Sequence, residues 1–189
     1  MVSEKYPEGK RAPGELERVR TFVNSVDYFD DEEDLPTPDA LRAWLVAHEL
    51  MDEGEPVSDG DLRRALDVRE GLRALLLANN ELPLDETKVE RLDRAASRAG
   101  LRPRFLPGED PGLVPDAAGV DGALARLLSI VAASVADGSW ERFKACPRDE
   151  CFWAFYDNTK NRSKRWCRME TCGNAEKARS YRERHGAKA

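Results

Sequence analysis

The chain of 189 residues is long enough for one buried core and a small additional module. Hydrophobic residues make up 41% and charged residues 35%, which is typical of a soluble globular protein and excludes a fibrous or disordered one. The N-terminus has no apolar stretch of the signal-peptide kind, and the longest apolar run, 124–136, is too short to span a bilayer of about 30 Å. We therefore expect a cytoplasmic protein.

The net charge of −6 is unevenly distributed along the chain. Residues 141–189 contain 13 Lys and Arg against 7 Asp and Glu, whereas residues 1–140 contain 17 against 29, so the two parts carry +6 and −12. Such asymmetry is typical of a segment that meets polyanions joined to one that repels them. Two ordinary solvated surfaces would give the same counts, so charge alone does not decide between these interpretations.

The first 140 residues predict a mainly α domain over 14–140, preceded by a disordered polar tail at 1–13. Residues 101–116 are rich in proline and predict a loop or a small β-hairpin. Three N-cap signals, at Thr37, Ser58 and Asp85, and apolar residues at helical spacing predict five helices. These helices are one at 16–26, one after Thr37 ending near Met51, one from Ser58 through Asn79, one from Asp85 to Gly100, and one at 121–136.

All four cysteines lie close together, at Cys146, Cys151, Cys167 and Cys172. Two close pairs separated by fifteen residues are typical of a chain that places four thiolates around one tetrahedral zinc ion. Four thiolates fill the coordination shell, so we expect a structural metal that contributes folding free energy and not a Lewis acid. A redox switch, an iron–sulfur site and idle thiols are the less favoured alternatives.

The segment 141–186 around these cysteines is predicted to be a zinc finger with a hairpin and a helix. Residues 152–156 favour a strand, 157–163 a turn and 164–166 a returning strand, and the residues after Gly173 favour a helix. The order of knuckle, hairpin, knuckle and helix is treble-clef-like. We expect the aromatic residues Trp153, Phe155, Tyr156 and Trp166 to form its small core, with stacking on single-stranded bases as the minor alternative.

The same segment carries the candidate nucleic-acid contacts. Lys and Arg side chains neutralise phosphates and release counterions, which is the main sequence-independent contribution to DNA binding. An asparagine at the start of the helix is available for a base edge. The predicted contact residues are Lys160, Arg162, Lys164, Arg165, Arg168, Asn174, Lys177, Arg179, Arg182 and Arg184.

The segment CPRDECFWAFYDNTKNRSKRWCRMETCGNAEKARSYRERH resembles the CGNR-type zinc finger of bacterial proteins whose N-terminal part is called the ABATE domain. FVNSVDYF and ADGSWERFKACP in the first 147 residues are also similar to that family. The resemblance implies a stress-induced transcription regulator, with the four cysteines as zinc ligands and a finger that binds DNA. The residues that match the finger's motif are Asn161, Arg162, Trp166, Gly173 and Asn174.

One position departs from the family's motif, whose last residue is arginine where this chain has Ala175. If that arginine contacts DNA in the family, this chain lacks one contact worth about 1 kcal/mol or somewhat more. Arg168 is a candidate to compensate for it. The departure concerns DNA affinity and leaves the prediction of zinc unchanged.

Signatures of catalysis are missing from the sequence, so we expect that the protein is not an enzyme. Its two histidines, His48 and His185, lie in no metal-binding or triad-like pattern, and no phosphate-cradling loop or acid/base pair of carboxylates is identifiable. The helical domain is expected to bind a small-molecule effector, with Trp44, His48 and Asn24 as conceivable pocket residues, or to form a homodimer. The alternative function is an RNA-binding or protein-interaction adaptor that uses the same basic finger.

Overall fold

The computed structural model describes residues 11–105, 107 and 112–186, and most of the predicted tail lies outside them. The fold is mainly α, as predicted. Its helices are α1 (Leu16–Val23), α2 (Pro38–Ala47), α3 (Asp59–Ala78), α4 (Glu86–Ala99), α5 (Gly119–Ala136) and α6 (Asn174–Gly186). Its strands are β1 (Val26–Asp27), β2 (Glu32–Glu33), β3 (Leu101–Arg104), β4 (Gly112–Pro115), β5 (Phe143–Ala145) and β6 (Ala154–Tyr156), which pair in sequence order as three antiparallel hairpins.

Three of the predicted helix starts are confirmed by side-chain caps. The Thr37 hydroxyl accepts the N–H of Ala40 at 3.2 Å, and the Asp85 carboxylate accepts the N–H of Lys88 at 3.1 Å. Ser58 and Asp61 form a reciprocal capping box at the start of α3. Each cap satisfies a backbone donor that has no partner inside the helix, which is why these sequence signals are reliable.

The end of the first helix differs from the prediction. Helix α1 stops at Val23, and Val26 belongs to β1 instead of continuing the helix. Asn24 and Ser25 between them are almost fully buried. The Ser25 carbonyl accepts the N–H of Asp34 at 2.8 Å, so the chain turns here to form the β1–β2 hairpin. Apolar spacing alone does not reveal a bond to a residue nine positions further on.

The hydrophobic core of the helical domain also contains part of the finger. Residues such as Phe22, Leu45 and Leu124, from α1, α2 and α5, are fully buried in one cluster. The same cluster includes Phe143 and Ala145 of β5, and Ala154 and Tyr156 of β6. The core therefore extends across residue 140, where the sequence suggests a domain boundary.

Helices α3 and α4 pack closely because α3 has a glycine at the contact. A Cβ atom on Gly71 would lie 2.4 Å from the Leu92 Cβ and 2.9 Å from the carbonyl oxygen of Lys88. Real Cβ atoms essentially never approach other atoms so closely. The missing side chain therefore lets the backbones of α3 and α4 approach each other. The exposed residues that flank this contact on the two helices then lie close together.

Helix α5 is long and apolar enough to cross a membrane by length and composition alone. The buried share of its span is 39%, and the core helices of soluble proteins meet the same criteria. Leu124 and Leu127 are fully buried in the core, and the Arg126 guanidinium donates to the Leu50 carbonyl. We interpret α5 as a core helix because it packs against α1, α3 and α4, and because Arg126 joins it to the turn after α2.

Candidate zinc centre and nucleic-acid interface

The four cysteine side chains converge on one buried point. Cys146 and Cys151 occupy the connection between β5 and β6, Cys167 follows a long loop, and Cys172 lies in a π-helical turn just before α6. The four sulfur atoms lie within 4.8 Å of one another, and those of Cys151, Cys167 and Cys172 are 3.6 Å apart in pairs. A zinc–sulfur bond of about 2.3 Å gives a tetrahedron with edges of about 3.8 Å. The thiols therefore fit a zinc ion, and the segment is a zinc-binding finger.

The chemistry around the thiols also suits a metal. Hydrogen bonds from the thiols of Cys146 and Cys151 lower the pKa of Cys172 well below its usual range. The Arg148 guanidinium lies 3.9 Å from the Cys172 sulfur and favours the thiolate further. Hydrogen bonds with the other thiols raise the pKa of Cys151 and Cys167, so the surroundings favour a thiolate at Cys172, and zinc, which binds thiolates and not thiols, must displace the protons that remain.

The finger's hairpin differs from the predicted one. Strand β6 pairs with residues 143–145, with Phe143 opposite Tyr156 and Ala145 opposite Ala154, and not with residues 164–166. The N–H of Cys146 donates to the Trp153 carbonyl at 2.9 Å, so the first cysteine pair sits at the tip of this hairpin. The pairing with β5 buries Phe143 completely. Residues 164–166 form a loop, in which Trp166 packs against the cysteine cluster and makes no strand pairing.

The small core of the finger is aromatic, as predicted for most of the four residues. Trp153, Phe155 and Trp166 pack around the cysteines, whereas Tyr156 packs into the core of the helical domain. A Cβ atom on Gly173 would lie 3.1 Å from the Trp166 ring and 2.2 Å from the sulfur of Met169. A larger residue at this position of the motif would therefore displace the Met169 side chain and press against the Trp166 ring.

A buried ion pair holds the loop that carries half of the predicted contacts. Asp157 is fully buried, and its carboxylate accepts from the Lys144 ammonium at 3.0 Å and from the N–H groups of Thr159 and Lys164 at 2.9 Å each. Burial would raise the pKa of Asp157, but the hydrogen bonds from Thr159 and Lys144 hold it below its usual value. Lys144 also donates to the Arg162 carbonyl at 2.7 Å. The loop is thus fixed from the inside.

The loop directs three of the predicted contact residues to solvent. Lys160, Arg162 and Arg165 are exposed. The Arg162 backbone has a φ of 53°, and its guanidinium pairs with Glu141. The half-buried Lys164 places its ammonium 5.1 Å from the centre of the Phe155 ring. Lys164 therefore contributes to packing as well as charge, and Arg168 is also half-buried.

Helix α6 carries the other predicted contact residues. Asn174, Lys177, Arg179, Arg182 and Arg184 are all exposed along it. The Asn174 amide donates to the Glu170 carbonyl at 3.3 Å, and Arg179 pairs with Glu176 at 2.6 Å. Lys177, Tyr181 and Arg184 share one side of the helix by their spacing. Ala175, at the position of the family's arginine, is half-buried in the first turn.

Asn24, a conceivable effector contact in the sequence, instead joins the helical domain to the finger. Its side chain accepts the N–H of Ala154 at 2.8 Å and donates to the carbonyl of Ala154 at 2.9 Å. The other two conceivable pocket residues stack on each other, with the rings of Trp44 and His48 3.8 Å apart. The contacts of Asn24 therefore have a structural role, and they do not support an effector pocket at this residue.

The contacts between the helical domain and the finger form a joint, which two further asparagines and one arginine complete, and local sequence patterns did not reveal these three residues. Asn79 donates to the Phe143 carbonyl at 2.9 Å, and Asn80 donates to the carbonyls of Ala145 at 2.8 Å and Arg165 at 2.7 Å. The sequence signal for these contacts was the pair of adjacent asparagines directly after α3. One asparagine is enough to cap the helix, so the second indicated another role.

Arg73 is the arginine of this joint. It is almost fully buried, and it donates to the Phe152 carbonyl at 2.9 Å and to the Val23 carbonyl. Its guanidinium also lies 5.1 Å from the Tyr28 ring, which meets Phe152 edge-on at 5.7 Å. A charged residue on the apolar face of α3 was the signal for this contact, because an arginine is rarely buried without specific partners.

Comparison with known families agrees with this architecture. The family described as "CGNR zinc finger" matches residues 142–185. The ABATE family, described as "Putative stress-induced transcription regulator", matches residues 17–138, more than half of the chain. No curated protein sequence matches this chain.

Proposed function

This chain belongs to the ABATE family and carries a zinc-binding CGNR finger, and we propose that it is a zinc-dependent, DNA-binding transcription regulator and not an enzyme. The observation that carries the proposal is the basic loop fixed by Lys144 and Asp157. This loop presents Lys160, Arg162 and Arg165 to solvent on a module without a catalytic metal position. The four thiols occupy the whole shell of the metal, so the zinc supports the binding surface.

The fixed loop supports binding because ordering a flexible segment costs free energy at the moment of association. In this finger, the internal hydrogen bonds of Asp157 already order the loop when the protein folds, so the loop need not be ordered on binding. The exposed guanidinium and ammonium groups are then available for phosphates without a rearrangement of the backbone. Such contacts release counterions, which makes affinity strongly dependent on salt.

The charge of the two parts limits where DNA can bind. The first 140 residues carry a net charge of −12 and the remainder +6, so a duplex is repelled by the helical domain and attracted by the finger. Helix α6 has 13 residues and is about 20 Å long. In this proposal its basic side chains extend the phosphate-binding surface beyond the loop, and the exposed Asn174 at its start is the candidate contact to a base edge. The helical domain then serves to bind an effector or a second copy of the chain.

The test is fluorescence anisotropy of the zinc-loaded protein with labelled duplex DNA over a salt series. Wild-type protein should bind with a log–log salt slope of about −0.9 for each neutralised phosphate. The double variant Lys160→Gln/Arg165→Gln should bind more weakly. Its log–log salt slope should be less steep by the contribution of one to two neutralised phosphates. Both residues are exposed, so the variant keeps the fold.

The matched control neutralises two exposed charges on the helical domain, Arg102→Gln/Arg104→Gln, which should leave the affinity unchanged or slightly raise it. Competition with structured RNA and with an acidic protein separates the adaptor function from the regulator function. If zinc-loaded protein ignores duplex DNA at low salt but binds RNA or acidic protein, the DNA-binding proposal is wrong.

A further inference from the structure

A groove lined by five arginines lies on the helical domain, near the start of α3. The contacts between the helical domain and the finger lie at the other end of this helix. Its volume is about 380 Å³, and Arg63 and Arg64 of α3 face Arg91, Arg94 and Arg98 of α4 across it. Residues 1–140 contain 17 basic residues, so nearly a third of them gather here in the acidic part of the protein. This concentration is unexpected for a surface whose average charge is negative.

The packing of the two helices creates the groove. Helices α3 and α4 are joined by a short connection and run antiparallel, with Gly71 against Leu92 at their closest approach. Arg91, Arg94 and Arg98 follow the spacing of one helix face. The glycine contact draws this face toward the start of α3, which brings the two sets of guanidinium groups to opposite walls.

Carboxylates neutralise only part of the groove. Arg64 pairs with Asp61 and with Asp121, the latter at 3.0 Å. The Arg91–Asp67 and Arg94–Glu90 distances are 3.8 and 3.9 Å, in pairs that are largely exposed. These exposed pairs are weak and exchange readily with another anion.

The two remaining arginines have no such partner. Within residues 11–105, 107 and 112–186, neither Arg63 nor Arg98 makes an ion pair or a side-chain hydrogen bond, and both line the groove. Asp67 is the groove's single carboxylate among its lining residues. Among the residues that the structure describes, the groove thus offers two guanidinium groups without a partner and three that are paired with carboxylates.

We propose that this groove binds a small, phosphate-rich anion such as a diphosphate group. Guanidinium groups bind phosphate oxygens through pairs of parallel hydrogen bonds, and several of them converge here. Ala95 is the one apolar side chain in the lining, so recognition depends on charge and not on apolar contact. The volume is at the lower end for ligand sites, which suits a compact ligand.

The position of the groove separates it from the DNA surface. Asn80, which donates a hydrogen bond to the finger, lies 16 residues after Arg64 and just beyond the end of α3. At the rise of a helix this separation is about 24 Å. Residues 1–140 carry a net charge of −12, which disfavours a long polyanion on this part of the chain but admits a small one in the groove. A site of this kind gives the helical domain the chemistry to sense a phosphorylated metabolite.

Isothermal titration of the full, zinc-loaded chain with inorganic pyrophosphate tests the proposal, with zinc release followed in parallel by a colorimetric chelator. The double variant Arg63→Gln/Arg98→Gln should bind pyrophosphate at least about tenfold more weakly, because it removes two charge-assisted contacts. The matched control Arg102→Gln alters an exposed arginine outside the groove, which pairs with Asp116, and should bind like wild type.

The same three proteins are then measured for duplex DNA affinity, which should be equal in all of them. Absence of pyrophosphate binding in the wild type overturns the groove proposal, and so does an equal loss in the Arg102 control. A double variant that loses DNA affinity would make the groove part of a DNA surface and would also overturn it. Failure of DNA binding in every protein would leave the pyrophosphate result intact, so the two proposals fail separately.

Discussion

The helical domain and the finger are stabilised by different physical contributions. The helical domain buries some twenty apolar side chains from α1 to α5 in one cluster, and its stability follows from that burial. The finger's own cluster contains six buried residues, of which four are cysteines. Two buried aromatic rings do not balance the entropy lost by ordering a segment of this length. We therefore expect the finger to depend on zinc and on its contacts with the helical domain.

Removal of zinc should separate the two regions most sharply. Structural zinc sites contribute on the order of 10 kcal/mol in isolated fingers, so the chelated protein should lose its structure between residues 146 and 173. Hydrogen exchange measured by mass spectrometry should show lost amide protection there, while α1 and α3 keep most of theirs. Protection should return when zinc is added back. A finger that stays protected without metal would contradict this comparison.

Lys144→Met tests the internal support of the basic loop. The substitution leaves Asp157 as a buried carboxylate without its ion-pair partner, and this should lower the free energy of unfolding by about 3 kcal/mol. Urea denaturation at saturating zinc measures the change. The matched control is Lys160→Met in the same loop, which is exposed and should stay within about 0.5 kcal/mol of wild type. Equal stability of the two variants would show that the buried pair does not hold the loop.

Asn24→Ala tests the joint from the side of the helical domain. It leaves the N–H and the carbonyl of Ala154 buried without their partners, at a cost of about 2 kcal/mol. Thermal unfolding should show this loss, whereas the exposed Asn158→Ala should change little. If zinc affinity also falls in Asn24→Ala, the joint stabilises the metal site. A variant as stable as wild type would exclude Asn24 as a support of the finger.

Gly71→Ala confines the perturbation to the helical domain and has the smallest expected effect. Alanine normally stabilises a helix relative to glycine, but here its Cβ would clash with Leu92, so we expect a net loss of about 1 kcal/mol. Gly60→Ala is the matched control in the same helix, since its Cβ would have 3.5 Å to the nearest atom. Denaturant midpoints compare the two variants, and zinc affinity should not change in either. A stabilised Gly71→Ala would refute the close packing.

Local signals made part of this structure predictable. Thr37, Ser58 and Asp85 cap helices through bonds to residues three positions away, and such spacing is visible in any sequence. The four cysteines were equally clear, because two close pairs are a local pattern. The fold class and the zinc centre therefore followed from the sequence.

Long-range choices were not predictable in the same way. Residues 143–145 and 164–166 both lie within reach of the strand at 154–156, and local propensity does not rank them. The choice depends on the burial of Phe143 and on Asn24, which bonds to Ala154 from 130 positions away. Lys144 was missed for the same reason, since only the folded loop gives it a partner.

The hairpin of β5 and β6 has a consequence for chimeric proteins. The two family matches meet near residue 140, which looks like a natural place to exchange one finger for another. In a chimera joined there, the inner face of the hairpin would need the apolar core around Phe22 to pack against. Its backbone would also need Asn24 and the two asparagines after α3 as hydrogen-bond partners. We therefore expect this finger to keep its fold only in a host that supplies those three asparagines, so the finger and the helical domain of this chain should be exchanged as one unit.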